Sequence, residues 1–164
     1  MNIECGVMEW MTSDLIGEDR YTPRTVYELS KLYDTVDTKY KSVLGPRYFE
    51  DRWEDEQDLY MRAIHVMKRL IRDARGDSIL ICSHAPCAQA LALALETRRG
   101  MRPNPSKSKI GAWPLGGITM FSRDFDELTG QYSEWKMELL CDTDHMPGAY
   151  RGGMMAWSLP DFCS

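Results

Sequence analysis

One short segment, a strand-like run followed by a turn and an apolar helix, constrains the fold of this 164-residue chain most strongly. The run is Ser78–Cys82, whose three central residues are Ile, Leu and Ile. A continuous apolar run of this length is typical of a strand buried on both faces of a parallel sheet. Pro86 suits the first turn of a helix, and the Ala- and Leu-rich segment from Cys87 to about Glu96 predicts a buried helix. This order of elements predicts an α/β fold.

A long amphipathic helix is predicted just before that strand, from about Glu54 to Ala74. Apolar residues recur at steps of three and four and define one face: Tyr60, Ala63, Ile64, Met67, Leu70, Ile71 and Ala74. The opposite face is charged, and its histidine is expected to be solvated: Asp58, Arg62, His65, Arg69 and Arg72. Gly76 is a natural stop for this helix. Residues 54–96 thus form a predicted helix–strand–helix unit.

The segments on either side of this unit are predicted to be less regular. Residues 11–53 are polar and indicate an excursion over the surface that covers a pocket, with a short helix around Thr25–Tyr33. The C-terminal third predicts a loop, two strand-like pieces and an irregular tail: 97–115, Gly117–Ser122, Tyr132–Leu139 and 142–164. With no repeat and a length near that of one domain, the chain is expected to form one domain over residues 1–164.

Composition excludes several classes of protein. The net charge of −5 gives no basic face for nucleic acid. No apolar window reaches the length of a membrane span, and the N-terminus lacks a signal-peptide pattern. Five cysteines without regular spacing do not indicate a disulfide framework. A reduced, cytoplasmic location is therefore expected, with neither a nucleic acid nor a membrane as partner.

His84 is the strongest candidate for chemistry, because it lies where the predicted strand ends and the next helix begins. Ligands of open α/β sheets bind at the carboxyl ends of strands. A helix start, here at about Ala85, offers free N–H groups to a phosphate. A histidine can also donate a hydrogen bond or transfer a proton near neutral pH. The alternative is that His84 only caps the turn.

The other candidates carry weaker signals. Glu4 follows a short apolar piece and could act as a general acid or base, or it could simply be solvated. His65 lies on the charged helix face and His145 lies in a polar loop. A zinc cluster of Cys82, His84 and Cys87 with Cys141 or His145 is conceivable, but no C-x-x-C pair supports it, so we expect no metal.

Several catalytic motifs are absent from the sequence. A cysteine phosphatase needs an arginine six positions after its cysteine, and those positions after Cys5, Cys82 and Cys87 hold Met, Ala and Leu. The chain also has no G-x-S-x-G elbow and no G-x-x-x-x-G-K loop. These absences argue against cysteine phosphatases, serine hydrolases and P-loop enzymes, and no cofactor is expected.

Residues 3–10, 36–40, 79–85, 113–116 and 145–157 are five segments that, in this order, resemble the histidine phosphatase (phosphoglycerate-mutase-like) superfamily. Residues 3–10 resemble its E-x-G-x-x-E-W segment, and residues 79–85 resemble its second histidine motif. Residues 36–40 match the V-D-T-x-Y segment of one branch, the suppressor of T-cell-receptor signalling and ecdysteroid-phosphate phosphatases. Further similarities are Trp113-Pro114-Leu115-Gly116 and a tail with His145-Met146-Pro147 and Gly152-Gly153 through Trp157. The resemblance covers nearly the whole chain.

The resemblance implies a fold and roles for particular residues. The fold would be a three-layer α/β structure, with a mostly parallel sheet and helices on both faces. Glu4 would be the general acid that protonates the leaving oxygen. His84 would bind and stabilise the transferring phosphoryl group, with Ala85 beside it in the phosphate site. Glu9 and Trp10 would be structural or line the pocket.

One departure from the family pattern decides what the chain is expected to do. The family nucleophile is the histidine of an Arg-His-Gly motif that precedes the glutamate segment, and this sequence contains no Arg-His-Gly. Only three residues precede Glu4, so we expect a C-terminal portion that lacks the first strand and the nucleophile. A histidine nucleophile splits one hard displacement into two easier ones. Without it, negligible turnover is expected.

Three hypotheses remain at this point. The first is part of a phosphomonoesterase that acts on phosphotyrosine or small phosphate esters through phosphohistidine in the complete protein. The second is a non-catalytic binding or dimerising module, which pairs with itself or with a full-length relative. The third is a generic α/β domain with a different ligand. The unpaired edge of Ser78–Cys82 also predicts oligomerisation or aggregation.

Overall fold

A computed structural model describes residues 1–13, 23–50, 52–96 and 113–148. The chain divides into two compact units, Met1–Leu91 and Ala92–Ser164. Helices dominate the described part of the first unit, and all strands of the described residues lie in the second. The protein is therefore of mixed α and β structure.

Three α-helices are present in the described residues: α1 at Val26–Ser30, α2 at Glu56–Ala74 and α3 at Ala85–Glu96. Two short 3-10 turns lie at Cys5–Val7 and Pro46–Phe49. The predicted helices around residues 25–33, 54–74 and 87–96 are confirmed with small shifts of their ends. The elements that frame the candidate site are the 3-10 turn at Cys5–Val7, α2 and α3.

Helix α2 begins and ends at recognisable signals. Asp55 caps its start, because the Asp55 side chain accepts a hydrogen bond of 2.8 Å from the N–H of Asp58. The Asp58 carboxylate reaches back to the N–H of Asp55 and completes a capping box. The helix ends at Ala74, where Arg75 takes a left-handed conformation with φ of 51° just before Gly76.

The core of the first unit forms around the N-terminal two thirds of α2. Leu59, Ala63 and Val66 are fully buried there. Helix α3 contributes further fully or nearly fully buried residues: Cys87, Ala90 and Leu91. The expectation that α3 is buried is confirmed.

The segment at 11–53 is not only a surface excursion. Met11 and Phe49 are buried and pack in one cluster with Cys5, and Val36 is buried as well. These apolar side chains are separated by polar stretches without helical or strand periodicity, so the sequence pattern did not indicate that they enter the core.

The prediction of a buried strand at Ser78–Cys82 is wrong for the described residues. These residues belong to no strand, Leu80 is 90% exposed, and Ile79 and Cys82 are exposed too. A buried strand needs neighbours on both edges, and the first unit has no strand among its described residues to supply one.

The strands of the second unit form two small antiparallel sheets. Strand β1 (Ile118–Ser122) pairs with β4 (Lys136–Asp142), and β2 (Phe125–Asp126) pairs with β3 (Gln131–Tyr132). The predicted piece at residues 117–122 is confirmed as β1, and the piece at 132–139 is divided between β3 and β4. The described residues thus contain no parallel sheet, which corrects the expected three-layer, mostly parallel architecture.

Candidate functional site

His84 occupies the N-cap position of α3. Its carbonyl accepts the N–H of Ala88 at 2.8 Å, which is the first hydrogen bond of the helix. The side chain of His84 is 55% exposed. The first-turn N–H groups of a helix have no partner within the helix, and they carry partial positive charge. His84 therefore presents an imidazole at an end of a helix that favours anions.

Ala85 is the first residue of α3 and is half-buried. Its methyl group offers no polar contact, so any contribution to an anion site comes from its backbone N–H. Pro86 follows and has no N–H, which leaves Ala85 and Cys87 as the first donors of the helix. The thiol of Cys87 lies in the protein interior, where burial raises its pKa and disfavours the reactive thiolate.

Glu9 is the direct partner of the His84 side chain. Glu9 Oε2 lies 3.1 Å from His84 Nδ1. The other oxygen, Glu9 Oε1, accepts the N–H of Trp10 at 2.9 Å. The Glu9 side chain is 24% exposed, so this pair lies at the edge of solvent. His84 Nε2 has no partner among the described residues.

Arg62, a buried residue of α2, holds the backbone of residues 6–9 through hydrogen bonds. One guanidinium nitrogen, Nη1, donates to the carbonyls of Gly6 and Met8 at 2.9 and 3.1 Å. The other, Nη2, donates to the carbonyl of Glu9 at 3.2 Å. A planar guanidinium with several donors in fixed directions holds such a turn in one geometry. The position of Glu9 is therefore set by a buried side chain of α2.

The charge of Arg62 is balanced by Glu54. Their side chains form a two-pronged ion pair, with Nε–Oε1 and Nη2–Oε2 distances of 2.7 Å each. Both side chains are fully buried. Trp10 Nε1 donates to the carbonyl of Glu54 at 3.0 Å, which ties the same turn to the start of α2. Arg62, which helical spacing placed on the charged face of α2, is buried in the structure.

Sequence periodicity missed Arg62 and Glu54 for a physical reason. Helical spacing placed Arg62 among charged residues, and its carboxylate partner lies before α2, outside the helical pattern. The one signal in the sequence was that Glu54 and Arg62 carry opposite charges. Their packing against the N-terminal turn is visible only in the structure.

A further hydrogen bond connects the turn before α3 to the N-terminal segment. Ser83 Oγ donates to the carbonyl of Val7. Together with the Glu9–His84 pair, this contact places residues 83–84 beside residues 7–9. The glutamate segment and the second histidine motif, which are far apart in sequence, thus meet in one place.

Glu4 has a different environment from His84. Its Oε1 accepts from Gly6 N–H and Ser42 Oγ at 2.8 Å each, and from Leu44 N–H at 3.3 Å. Its Oε2 accepts from Tyr40 Oη at 2.8 Å and Val43 N–H at 2.7 Å. No hydrogen bond or ion pair among the described residues joins Glu4 to His84.

Five donors therefore saturate both oxygens of Glu4. A carboxylate in this position acts as an acceptor that anchors the 40–44 loop to the N-terminal turn. Burial and the hydrogen bond to Glu4 raise the pKa of Tyr40, so the phenol stays protonated and keeps donating. The V-D-T-x-Y segment thus contacts the glutamate segment through its tyrosine.

The remaining candidate residues are exposed or lie outside the described residues. His65 is exposed on α2 and His145 is exposed after β4. Within the described residues, no group of three His, Cys, Asp or Glu side chains is placed to hold a metal ion, and no helix is long and apolar enough to cross a membrane. The Gly152–Trp157 part of the tail motif falls outside the described residues.

Comparisons with known proteins add no relative. Neither the protein-family models nor the curated proteins nor the solved structures contain a significant match to this chain. The resemblance to histidine phosphatases therefore stays a prediction that rests on the five sequence segments. The geometry around His84 is the independent observation on which a function can be argued.

Proposed function

We propose that this chain is the C-terminal part of a phosphomonoesterase of the two-histidine type, with phosphotyrosine or a small phosphate ester as substrate of the complete protein. The carrying observation is His84, an exposed imidazole at the N-cap of α3 that pairs with Glu9. In this function His84 Nε2 and the first-turn N–H of Ala85 contact phosphoryl oxygens. Both groups can donate hydrogen bonds to an anion that binds at the start of α3.

The proposal includes the fold that such an enzyme needs. Ser78–Cys82 leads directly into His84 and consists of residues that favour strands. We propose that it becomes a strand of a mostly parallel sheet when a neighbouring strand from outside these 164 residues pairs with it. Its exposed apolar side chains are compatible with such pairing.

These 164 residues alone are proposed to be inactive. They contain no Arg-His-Gly motif, so the nucleophilic histidine must come from elsewhere. In groups that act as a unit, loss of one member can cost on the order of 10⁶ in rate. Arg62 cannot replace the missing phosphate-binding arginines, because its guanidinium faces Glu54 and backbone carbonyls in the interior.

The geometry supports His84 more strongly than Glu4. A general acid must carry a proton to donate, whereas Glu4 accepts five hydrogen bonds. Glu4 can serve as an acid in the complete protein only if part of this network opens. As described, its contacts favour a role in holding the 40–44 loop.

The test is a titration of the chain with inorganic phosphate, followed by the NMR signals of the imidazole groups. We expect a saturable shift of the His84 signals that is absent in His84→Ala. His65→Ala, which removes an exposed histidine on α2, serves as the matched control and should leave the response intact. No shift of His84 up to high phosphate concentration would refute the proposed phosphate site.

A rate assay tests the second half of the proposal. Hydrolysis of an aryl phosphate by the purified, mass-verified chain is expected to equal the uncatalysed background. Activity that co-purifies with the chain and disappears in His84→Ala would contradict the claim that these residues alone are inactive.

A non-catalytic binding or dimerising module is the second candidate function. The observation that favours it is the exposed apolar segment at Ser78–Cys82, with Leu80 90% exposed. Association through this segment does not require phosphate. Retained association in His84→Ala, together with no phosphate response in the unsubstituted chain, would favour this function over the first.

A further inference from the structure

The two nitrogens of a histidine ring are not equivalent, and the partner of one decides what the other can do. A carboxylate can only accept a hydrogen bond. When it lies against Nδ1, the hydrogen of the neutral ring stays on Nδ1, and Nε2 keeps a free lone pair. Protonation then takes place at Nε2, which becomes the donor.

Glu9 lies within ion-pair distance of Nδ1. Its Oε2 lies 3.1 Å from His84 Nδ1. Its own freedom is restricted at two points, because Trp10 N–H binds Oε1 and Arg62 binds the Glu9 carbonyl. Arg62 is in turn locked by the buried Glu54. The chain of contacts therefore runs from the core of the first unit to the imidazole.

We propose that Glu9 is a positioning residue that holds the hydrogen of His84 on Nδ1 and presents Nε2 as the nitrogen that takes up and releases a proton. The proposal rests on the proposed function, in which Nε2 faces a phosphoryl oxygen. A proton from solvent adds to the Nε2 lone pair, and Nε2–H then donates a hydrogen bond to the anion.

The alternative is an ordinary surface ion pair with no effect on the ring. Exposed pairs of this kind contribute little to stability, and His84 is 55% exposed. A stability measurement therefore cannot separate the two readings. The position of the ring hydrogen does distinguish them. With a nonspecific surface pair, the hydrogen of the neutral ring could lie on either nitrogen.

The experiment measures the two ring nitrogens of His84 by ¹⁵N NMR in the full chain. The chain has three histidines, so His65→Gln and His145→Gln assign the remaining signals to His84. The variant is Glu9→Gln, whose amide can accept from the ring or donate to it. The matched control is Glu138→Gln, since Glu138 is a surface carboxylate of similar exposure, 29%, that pairs with Lys136.

We expect neutral His84 to carry its hydrogen on Nδ1 in the unsubstituted chain and in Glu138→Gln. In Glu9→Gln that preference is lost, and the affinity for inorganic phosphate falls by about tenfold, as when partners that orient a functional histidine are removed. A neutral His84 with its hydrogen on Nε2 in the unsubstituted chain overturns the proposal without any variant. An unchanged hydrogen position in Glu9→Gln overturns it as well.

A second variant keeps the test decisive if Glu9→Gln does not fold. Glu9→Asp retains the charge and withdraws the carboxylate by about one C–C bond, ~1.5 Å, so it should also lose the preference for Nδ1. The measurements can contradict the phosphate site at His84 and the positioning role of Glu9 independently of each other. A phosphate response at His84 that is unaffected by Glu9 substitution contradicts only the positioning role. A Glu9-dependent hydrogen position without any phosphate response supports that role and contradicts the phosphate site.

Discussion

Arg62 is the residue on which the geometry of the N-terminal turn depends most. Replacing it with Met removes both hydrogen bonds to the buried Glu54 carboxylate. It also removes the three hydrogen bonds to backbone carbonyls of the N-terminal turn. Breaking a buried ion pair on one side costs about 3–5 kcal/mol. We expect Arg62→Met to lower the free energy of unfolding by that amount in urea titrations monitored by circular dichroism.

The control for Arg62 lies two turns further along the same helix. Arg69 pairs with Asp73, but both side chains are about half exposed, at 52% and 51%. Arg69→Met should leave the urea midpoint almost unchanged, because exposed pairs are screened by water. Equal effects of the two substitutions would show that the Arg62–Glu54 pair does not stabilise the turn.

Glu4 gives a second prediction at the scale of single residues. Glu4→Ala removes five hydrogen bonds, but Ser42 Oγ keeps the Leu44 carbonyl as an acceptor, so four donors lose theirs. Each part-buried donor left without a partner costs on the order of 1 kcal/mol. We expect a loss of at least about 2 kcal/mol in the free energy of unfolding, whereas Tyr40→Phe, which removes one of the five bonds, should cost less than half as much. A Glu4→Ala chain as stable as the unsubstituted one would restore Glu4 as a candidate whose main role is chemical.

Among the elements, the segment before α3 is where the structure departs most from the expectation, and its cysteine tests that departure. Cys82 is exposed, whereas Cys87 is buried, and burial raises the pKa of the Cys87 thiol. The thiolate is the reactive form. Iodoacetamide at neutral pH should therefore modify Cys82 about tenfold faster or more, as measured by mass spectrometry of the peptides.

Protection of Cys82 to the level of Cys87 would contradict the exposed conformation and indicate that residues 78–82 are paired in solution. Cys82→Ser serves as the control, since it should remove the fast reaction and leave the slow reaction of Cys87. Denaturant should then make the remaining buried thiols react at similar rates.

The helices could be predicted from the sequence because their signals are local. Helix α2 shows apolar spacing and a capping box, and α3 combines Pro86 near its start with an almost wholly apolar composition. Whether Ser78–Cys82 forms a strand could not be decided from the sequence, because a strand forms only when a neighbouring strand supplies hydrogen-bond partners. A short apolar run indicates a preference for the strand conformation, but it does not show whether a neighbouring strand is present.

The candidate site was predictable only in part for a similar reason. Motif spacing pointed to His84 and to the segment that contains Glu9, and the structure brings the two together. The Arg62–Glu54 pair beneath them was not visible, because side-chain burial of a charge depends on contacts between residues distant in sequence. Glu4 was selected as a candidate general acid, which stays a prediction, and its contacts in the described residues favour anchoring of the 40–44 loop.

At the scale of the whole molecule, both candidate functions require the chain to meet another chain or segment. The described site supplies His84, Glu9 and a helix N-terminus, and its strongest cation, Arg62, faces inward. The proposed phosphatase function needs further groups around the phosphate, and the apolar segment before His84 pairs with no strand among the described residues.

Self-association through that segment is the corresponding prediction. Burial of a Leu side chain contributes about 1.5–3 kcal/mol, and an unpaired, apolar backbone segment favours pairing with another chain. Leu80 and Leu128 are a matched pair, with exposed fractions of 90% and 98%, but only Leu80 lies within the strand-favouring run. In sedimentation velocity over a wide concentration range, we expect association of the unsubstituted chain to be retained in Leu128→Lys and weakened in Leu80→Lys. A monomer at every concentration, or equal effects of the two substitutions, would mean that exposure of residues 78–82 does not drive the chain to associate.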